Sequence, residues 1–462
     1  MTNRLESDSL GSMRIPADAL WGVHTARALD NFPISGTPVS RYPGLVVALA
    51  QVKRAAARAN SSLGVLEPAV ADAIGLACQD IEEGQHHQHF CVDMIQGGAG
   101  TSTNMNANEV IANLALETMG HPRGSYQHLH PIDHVNKCQS TNDVYPTAIK
   151  LALITAVQEL DHELGHLTES MREKGAAFAH VAKIGRTQLQ DAVPMTLGQE
   201  FGAFAATIEE DRCRLRESAA LMLECSLGAT AIGTGITAEP GYRERAIEAL
   251  AEITGLPLVP AADLLEATSD VGVFMHVSGM LKRSAIKISK ISSDLRLLSS
   301  GPQNGFGEIQ LPPRQAGSSI MPGKVNPVIP ETLNQIAFAV AGADTTVTMA
   351  ADNGQLQLNA FEPVMAHALL QGFSWLTNGA RILRTHCIQG ITANEDLLGG
   401  RAAGSAGLAT ALIPALGYAA AAEVANRALT GRVTVIDAVT SMGLMERDAA
   451  ALILEGASTR AR

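Results

Sequence analysis

Residues 317–327 read Gly317-Ser318-Ser319-Ile320-Met321-Pro322-Gly323-Lys324-Val325-Asn326-Pro327. Two prolines lack backbone donors, and two glycines tolerate angles that other residues avoid. Regular helix or strand cannot run through such a segment. What remains is a polar loop carrying two adjacent hydroxyls, an ammonium and an amide, a donor set suited to an anion. A phosphate-binding loop also ends in Gly-Lys. Here, however, five residues rather than four separate Gly317 from Gly323, and Val325 stands where Ser or Thr would bind magnesium. A plain interhelical loop with serine caps explains the glycines and prolines, but not Lys324 and Asn326 together.

Long windows of helical spacing flank this loop: Thr268–Leu298 before it and Pro330–Ala350 after it. Thr147–Ala179, Thr196–Glu224 and Val364–Cys387 carry the same pattern. All include charged residues, so none reads as a membrane span. The pattern predicts a mainly all-α chain built on a long helical bundle. The apolar stripes are too broad for one chain's bundle, which predicts association between subunits. Residues 1–141 read as a mixed, mostly helical N-terminal domain, broken early by Pro16, Pro33, Pro38 and Pro43 and helical over Val46–Asn60, Pro68–Gly84 and Met105–Gly120. Residues 142–393 form the central bundle domain, and 394–462 a small helical C-terminal domain.

Composition narrows the function. Aromatics are 4% of the 462 residues and apolar residues 46%, so small aliphatic side chains do most of the packing. A net charge of −12 opposes nucleic acid and anionic membranes as partners. Six cysteines without a Cys-x-x-Cys pair read as reduced thiols. Met1–Leu10 has no apolar signal-like core, which favours a cytoplasmic enzyme. His86, His87 and His89 lack a nearby Cys or Asp cluster and read as a solvated turn. Gly97-Gly98-Ala99-Gly100 lacks the strand and spacing of a dinucleotide loop.

Three further segments offer uncharged donors beside an expected helix start: Gly100–Asn104, Gln139–Asp143 and Gly185–Asp191. Capping explains Gln139–Asp143 alone, and a loop with an Arg186–Asp191 surface pair explains Gly185–Asp191 alone. Four such segments in one chain, near helix N-termini whose dipoles attract anions, point instead to an anionic ligand.

Together these segments resemble the aspartase/fumarase superfamily, whose signature Gly317–Pro327 matches. Gly97–Glu109, His134–Pro146 and Gly185–Glu200 resemble its other blocks, in order and across essentially the whole chain. Gly22–Thr25, Ser140–Asp143, Leu227–Gly235 and Gly354–Asn359 are similar to its aspartase branch. Fumarases typically carry a second Ser at Thr141 and Gly-Gly-Thr at Gly228-Ala229-Thr230. The resemblance implies a three-domain fold and a homotetramer whose sites are shared by three subunits. It implies reversible loss of ammonia from L-aspartate to give fumarate, through an aci-carboxylate; fumarate hydration, or a lyase acting on another aspartate-like amine, is the alternative. Ser318 then matches the catalytic base, while Thr101, Ser140, Thr141 and Ser319 match donors around the dianion. Lys324 and Asn326 match the α-carboxylate site, and Asn142 and Thr187 the amine site. No cofactor is required on this reading, and magnesium enters only as an activating ion. Two positions depart from the pattern. Gln188 stands where many members have His, and Ala419 follows Gly417-Tyr418 where a charged or amide residue is usual.

Overall fold

The structure, a computed structural model, describes residues 3–459. It opens with a hairpin of β1 (Asn3–Asp8) and β2 (Gly11–Pro16), where sequence suggested only loops and short elements. Four helices follow: α1 (Val23–Asn31), α2 (Pro43–Ser62), α3 (Pro68–Glu82) and α4 (Thr101–Thr118). Pro43 and Pro68 open their helices at positions where a missing N–H costs nothing. The long helix α5 (Thr141–Ala177) leads to a second hairpin, β3 (Ala182–Thr187) and β4 (Gln190–Thr196). Then come α6 (Leu197–Leu221), α7 (Tyr242–Thr254), α8 (Leu264–Ser269), α9 (Gly272–Leu298), α10 (Val328–Asp352) and α11 (Glu362–His386). The chain ends with α12 (Glu395–Gly404), α13 (Ile413–Leu416), α14 (Tyr418–Gly431), α15 (Val435–Ser441) and α16 (Arg447–Thr459). The mainly α fold is therefore as expected.

Two compact units divide the chain. The first comprises residues 1–161, 213–283 and 338–375, and the second 162–212, 284–337 and 376–462. The dividing points fall within or at the ends of the long helices.

In the first unit α2 packs on α3 and α7, and α3 packs on α4. Small side chains make this possible. Ala48, Ala50, Ala55, Ala56, Ala57 and Ala59 are all buried along α2, so neighbours approach it closely on several sides. Helix α4 is buried from Thr103 to Leu116 although it carries four asparagines. Each buried amide needs a partner, or its desolvation costs on the order of 1–3 kcal/mol. Asn106 donates to the His89 carbonyl at 2.9 Å, and Asn113 to the Leu20 carbonyl at 2.7 Å.

In the second unit an apolar cluster of Leu408, Leu412, Val424, Val435 and Val439 also takes in Ile184 of β3. Helix α12 packs on β3, and α16 on β4. The C-terminal helices thus brace the β3–β4 hairpin.

Candidate functional site

In the first unit the N-termini of α4 and α5 converge. Gly100 has φ +89°, and a Cβ there would lie 2.3 Å from the Tyr145 ring. Only glycine permits this approach. Asn104 of α4 donates to the Thr141 hydroxyl at 3.1 Å, joining the two helix starts a second time. Ser140 is the residue before α5. Its Oγ accepts the Asn142 N–H at 3.2 Å, while its own N–H donates to Asp143 Oδ1 at 3.0 Å. The capping expected there is present, at the start of a helix that begins six residues earlier than its apolar pattern indicates.

These bonds fix what each group still offers. Thr141 and Ser140 accept through oxygen and keep their O–H protons to donate. The Asn142 side-chain nitrogen donates to the Ala231 carbonyl at 2.7 Å, which leaves Oδ1 as an acceptor. Pro146 has no N–H for the Asn142 carbonyl, so that oxygen too lacks its usual helical partner. Thr101 donates to the Gly98 carbonyl at 2.7 Å, so its own proton is committed.

Beneath this surface lie two buried charged groups that sequence reading did not single out. Lys53 Nζ donates to Asn136 Oδ1 and Gln139 Oε1, each at 2.9 Å. Burial depresses its pKa to about 7, against the pull of the Asp143 charge. Asp143 binds the Ser140 N–H through one oxygen and the Gly228 and Thr230 N–H groups through the other. Burial pushes its pKa up to about 7, opposed by those backbone donors. Asp143 therefore ties the 140–142 segment to the 227–235 segment. Lys53 sits in an Ala-rich helix and gives no local signal, but Asp143 completes the Ser-x-x-acid capping pattern and was findable.

In the second unit Thr187 and Gln188 sit at the tip of the β3–β4 hairpin, not in an open loop. The register pairs Thr187 with Gln190, which makes Gln188-Leu189 a two-residue turn. Both have positive φ, +53° and +63°. Such a turn normally carries Asn-Gly, so this one is strained. Arg186 does not form the surface pair with Asp191. Its guanidinium meets Glu308 at 2.5 Å and lies 4.4 Å from the Phe306 ring centroid. Lys183 bridges Glu308 at 2.8 Å and Glu200 at 2.6 Å. Burial alone would raise the Glu308 pKa, but the Arg186 hydrogen bond and the Lys183 charge outweigh it and hold the carboxyl below its usual range.

The 317–327 loop, also in the second unit, leads directly into α10. Ser318 Oγ accepts two backbone N–H groups, from Ile320 at 3.1 Å and Met321 at 2.9 Å. The loop is closed by Gly317 N–H to the Lys324 carbonyl at 2.7 Å and by Asn326 Nδ2 to the Gly317 carbonyl at 3.0 Å. A Cβ on Gly317 would lie 2.7 Å from the Lys324 carbonyl oxygen, so glycine is required there too. Ser319 and Lys324 are exposed, and Lys324 has no acidic partner among the described residues. Asn326 has spent one amide N–H on the loop and keeps the other. The structure thus gathers Thr101 with Ser140, Thr141 and Asn142 in one unit. The other holds the Thr187–Gln188 turn and the Ser318–Asn326 loop.

Comparison with known proteins identifies the family. The lyase family model matches residues 11–342, and the model for the fumarase C C-terminus matches 408–456. The chain belongs to the aspartase/fumarase superfamily of lyases. Among curated superfamily members, aspartate ammonia-lyase from Pseudomonas aeruginosa is 56% identical over 454 residues, covering 98% of this chain and 96% of that protein. Among solved structures, a Brucella melitensis fumarate lyase:delta crystallin bound to cobalt is 53% identical, with a TM-score of 0.95 over 98% of both chains. A class II fumarase from Schistosoma mansoni superposes with a TM-score of 0.92 over 98% of both chains, but is only 32% identical. Within the superfamily the chain is most like aspartate ammonia-lyase.

Several side expectations can be placed on this lyase framework. His87–His89 form a single 3-10 turn, and His87 Nε2 bonds the Ile81 carbonyl. Among the described residues no three His, Cys, Asp or Glu side chains gather as a metal site. Tyr418, beside the departure at Ala419, opens α14 and is 77% exposed. Among the described residues no helix is long and apolar enough to cross a membrane.

Proposed function

We propose that this lyase is an aspartate ammonia-lyase, acting on the carbon–nitrogen bond of L-aspartate. The observation that carries the reading is Ser318 Oγ, which receives two backbone N–H groups within the superfamily's signature loop. A serine becomes a base only if its alkoxide is stabilised, and N–H groups aimed at the oxygen do that without themselves needing a proton. Ser318 takes the Cβ proton, and the electron pair moves into the adjacent carboxylate as an aci-carboxylate. Ser140 and Thr141 have free O–H protons for that dianion, and exposed Ser319 adds a third. The C–N bond then breaks with its electron pair leaving on nitrogen, giving fumarate and ammonia. The proton held by Ser318 returns to solvent.

Lys324 and the remaining Asn326 N–H suit the α-carboxylate, which does not change charge. Asn142 Oδ1 offers an oxygen acceptor, as an ammonium requires, and Thr187 supplies a hydroxyl to the same amine. Thr101 serves as a donor only if its O–H turns from Gly98. Gln188 can hydrogen-bond but cannot titrate near neutral pH, so it is no general acid.

We further infer a homotetramer with sites completed by three subunits. Phe338 is 67% exposed and Met349 63% on α10, and Ile286 on α9 and Trp375 on α11 are also exposed. Apolar residues at such density along bundle helices favour a covering partner. The deciding assay offers fumarate to the enzyme with ammonia and with water alone. Formation of L-aspartate but not malate, abolished in Ser318→Ala, is the expected result. Malate formation would replace this reading with a hydratase.

A further inference from the structure

Fourteen histidines occur in the chain, and few of them bring ring nitrogens toward one point. His121 and His128 stack face to face, with centroids 3.8 Å apart and planes 3° apart. Stacked rings direct their lone pairs past one another. His130 Nδ1 accepts the N–H groups of Ile132 and Asp133, and His134 Nδ1 accepts the His130 N–H. Those nitrogens are spent on capping a turn. His87 is bonded to a carbonyl.

His162 and His166 differ. They lie one helical turn apart on α5, both exposed, with Nε2 atoms 3.0 Å apart and ring planes at 85°. Residues four apart on a helix share a face, so both rings project from the same strip of surface. A divalent ion bound at ~2.1 Å from each of two nitrogens, with a right angle between the bonds, sets those nitrogens about 3.0 Å apart. The observed spacing matches. Without an ion, the pair is held by one Nε2–H donating to the other Nε2. Moving that proton to Nδ1 through solvent frees both Nε2 lone pairs and leaves both rings neutral.

The surroundings leave the pair open to solvent. Glu169 and Glu173 continue the exposed strip, while Leu164, Leu167 and Met171 face inward. Arg172 is turned to Glu169 and Glu209. Glu163 is engaged by Arg381, so neither it nor that arginine competes for the imidazoles. The strip carries no exposed apolar side chain, unlike α10 with Phe338 and Met349, which keeps it clear of the covering contact inferred above.

We propose that His162 and His166 form a two-imidazole site for a borderline divalent transition-metal ion, with water completing the coordination shell. Imidazole nitrogen selects nickel, copper, cobalt or zinc and discriminates against magnesium, which prefers oxygen. The site is independent of the lyase chemistry, since neither residue belongs to the donor segments.

The test uses the full-length protein without a histidine tag, titrated with nickel chloride by calorimetry, beside His162→Gln, His166→Gln and the double variant. One nickel ion per chain is expected in the native protein, with affinity at least tenfold weaker in each single variant and no signal in the double variant. Magnesium chloride should give no signal that the variants lose. Nickel should raise the thermal midpoint of the native protein and not that of the double variant, while all four proteins keep the same rate on L-aspartate. Equal nickel affinity in native and double-variant protein, or no nickel binding by the native protein, would overturn the proposal.

Discussion

Replacing Ile320 by proline removes one of the two N–H groups at Ser318 Oγ. The Ile320 bond is 3.1 Å and the Met321 bond 2.9 Å. A hydrogen bond to a charged oxygen contributes about 1.5–3 kcal/mol, and about 1.4 kcal/mol corresponds to one pKa unit. Losing one donor should therefore raise the pKa of the Ser318 hydroxyl by about 1–2. Ile320 is 83% exposed, so its side chain contributes little packing. Rates of fumarate formation measured across pH should show the rising limb displaced to higher pH by that amount. At fixed neutral pH kcat should fall about 10–100-fold, with KM for L-aspartate changed less than about threefold. Ile320→Ala keeps the N–H and should keep the native profile. A limb shared by the proline, alanine and native proteins would refute the account of how Ser318 becomes a base.

Four further outcomes are expected. Leu189→Gly should stabilise the fold by about 0.5–1 kcal/mol in thermal unfolding, because Leu189 holds φ +63° at a cost that glycine does not bear. Gly100→Ala should cost at least about 2 kcal/mol and lower kcat, because its Cβ would meet the Tyr145 ring; an unchanged melting point would contradict the close approach of α4 and α5. Phe338→Arg should yield smaller, inactive particles by light scattering, and a fully active assembly of native size would rule out α10 as a contact. Burial pushes the Glu362 pKa up to about 8, opposed by the Lys150 charge. A raised carboxyl favours the fold at low pH, and that contribution is lost as pH rises from about 4.5 through 8, amounting to no more than about 5 kcal/mol. Glu362→Gln should flatten the melting-point profile across this window, and parallel profiles would show that Glu362 is not the titrating group.

Helical periodicity located the long helices to within a few residues at most ends, because their apolar faces repeat over many turns. It placed the start of α5 late, since Thr141 to Pro146 carry capping and candidate site residues in place of an apolar stripe. The β3–β4 hairpin was not legible. Its turn is Gln188-Leu189 where hairpin chemistry calls for Asn-Gly, and its stability comes from α12, α16 and the Leu408–Leu412 cluster more than 200 positions later. The Glu308 partner of Arg186 was hidden for the same reason, and Asp191 was the nearest carboxylate in the sequence. The 317–327 loop was legible in composition but not in detail. Nothing in Ser-Ser-Ile-Met says that the two N–H groups fold back onto Ser318 and not Ser319.

The hydrogen bonds around Asn142 bear on which leaving group the site suits. Asn142 Nδ2 is fixed on the Ala231 carbonyl, so its Oδ1 faces outward as an acceptor, and Pro146 leaves the Asn142 carbonyl without its helical donor. A free amide oxygen suits an ammonium, which brings three N–H donors and departs as neutral ammonia once the C–N bond breaks. A hydroxyl leaving group makes the opposite demand. It must receive a proton as it departs, or leave as hydroxide at a large cost in barrier. Gln188 has no proton to give at neutral pH, and Asn142 is turned to accept. On the proposed site, replacing Gln188 with histidine adds a titratable group but leaves Asn142 Oδ1 in place. The Gln188→His variant should therefore gain at most weak hydration of fumarate to malate while keeping ammonia addition. Malate formation matching aspartate formation in that variant would show that residue 188, and not the Asn142 acceptor, sets the choice between ammonia and water.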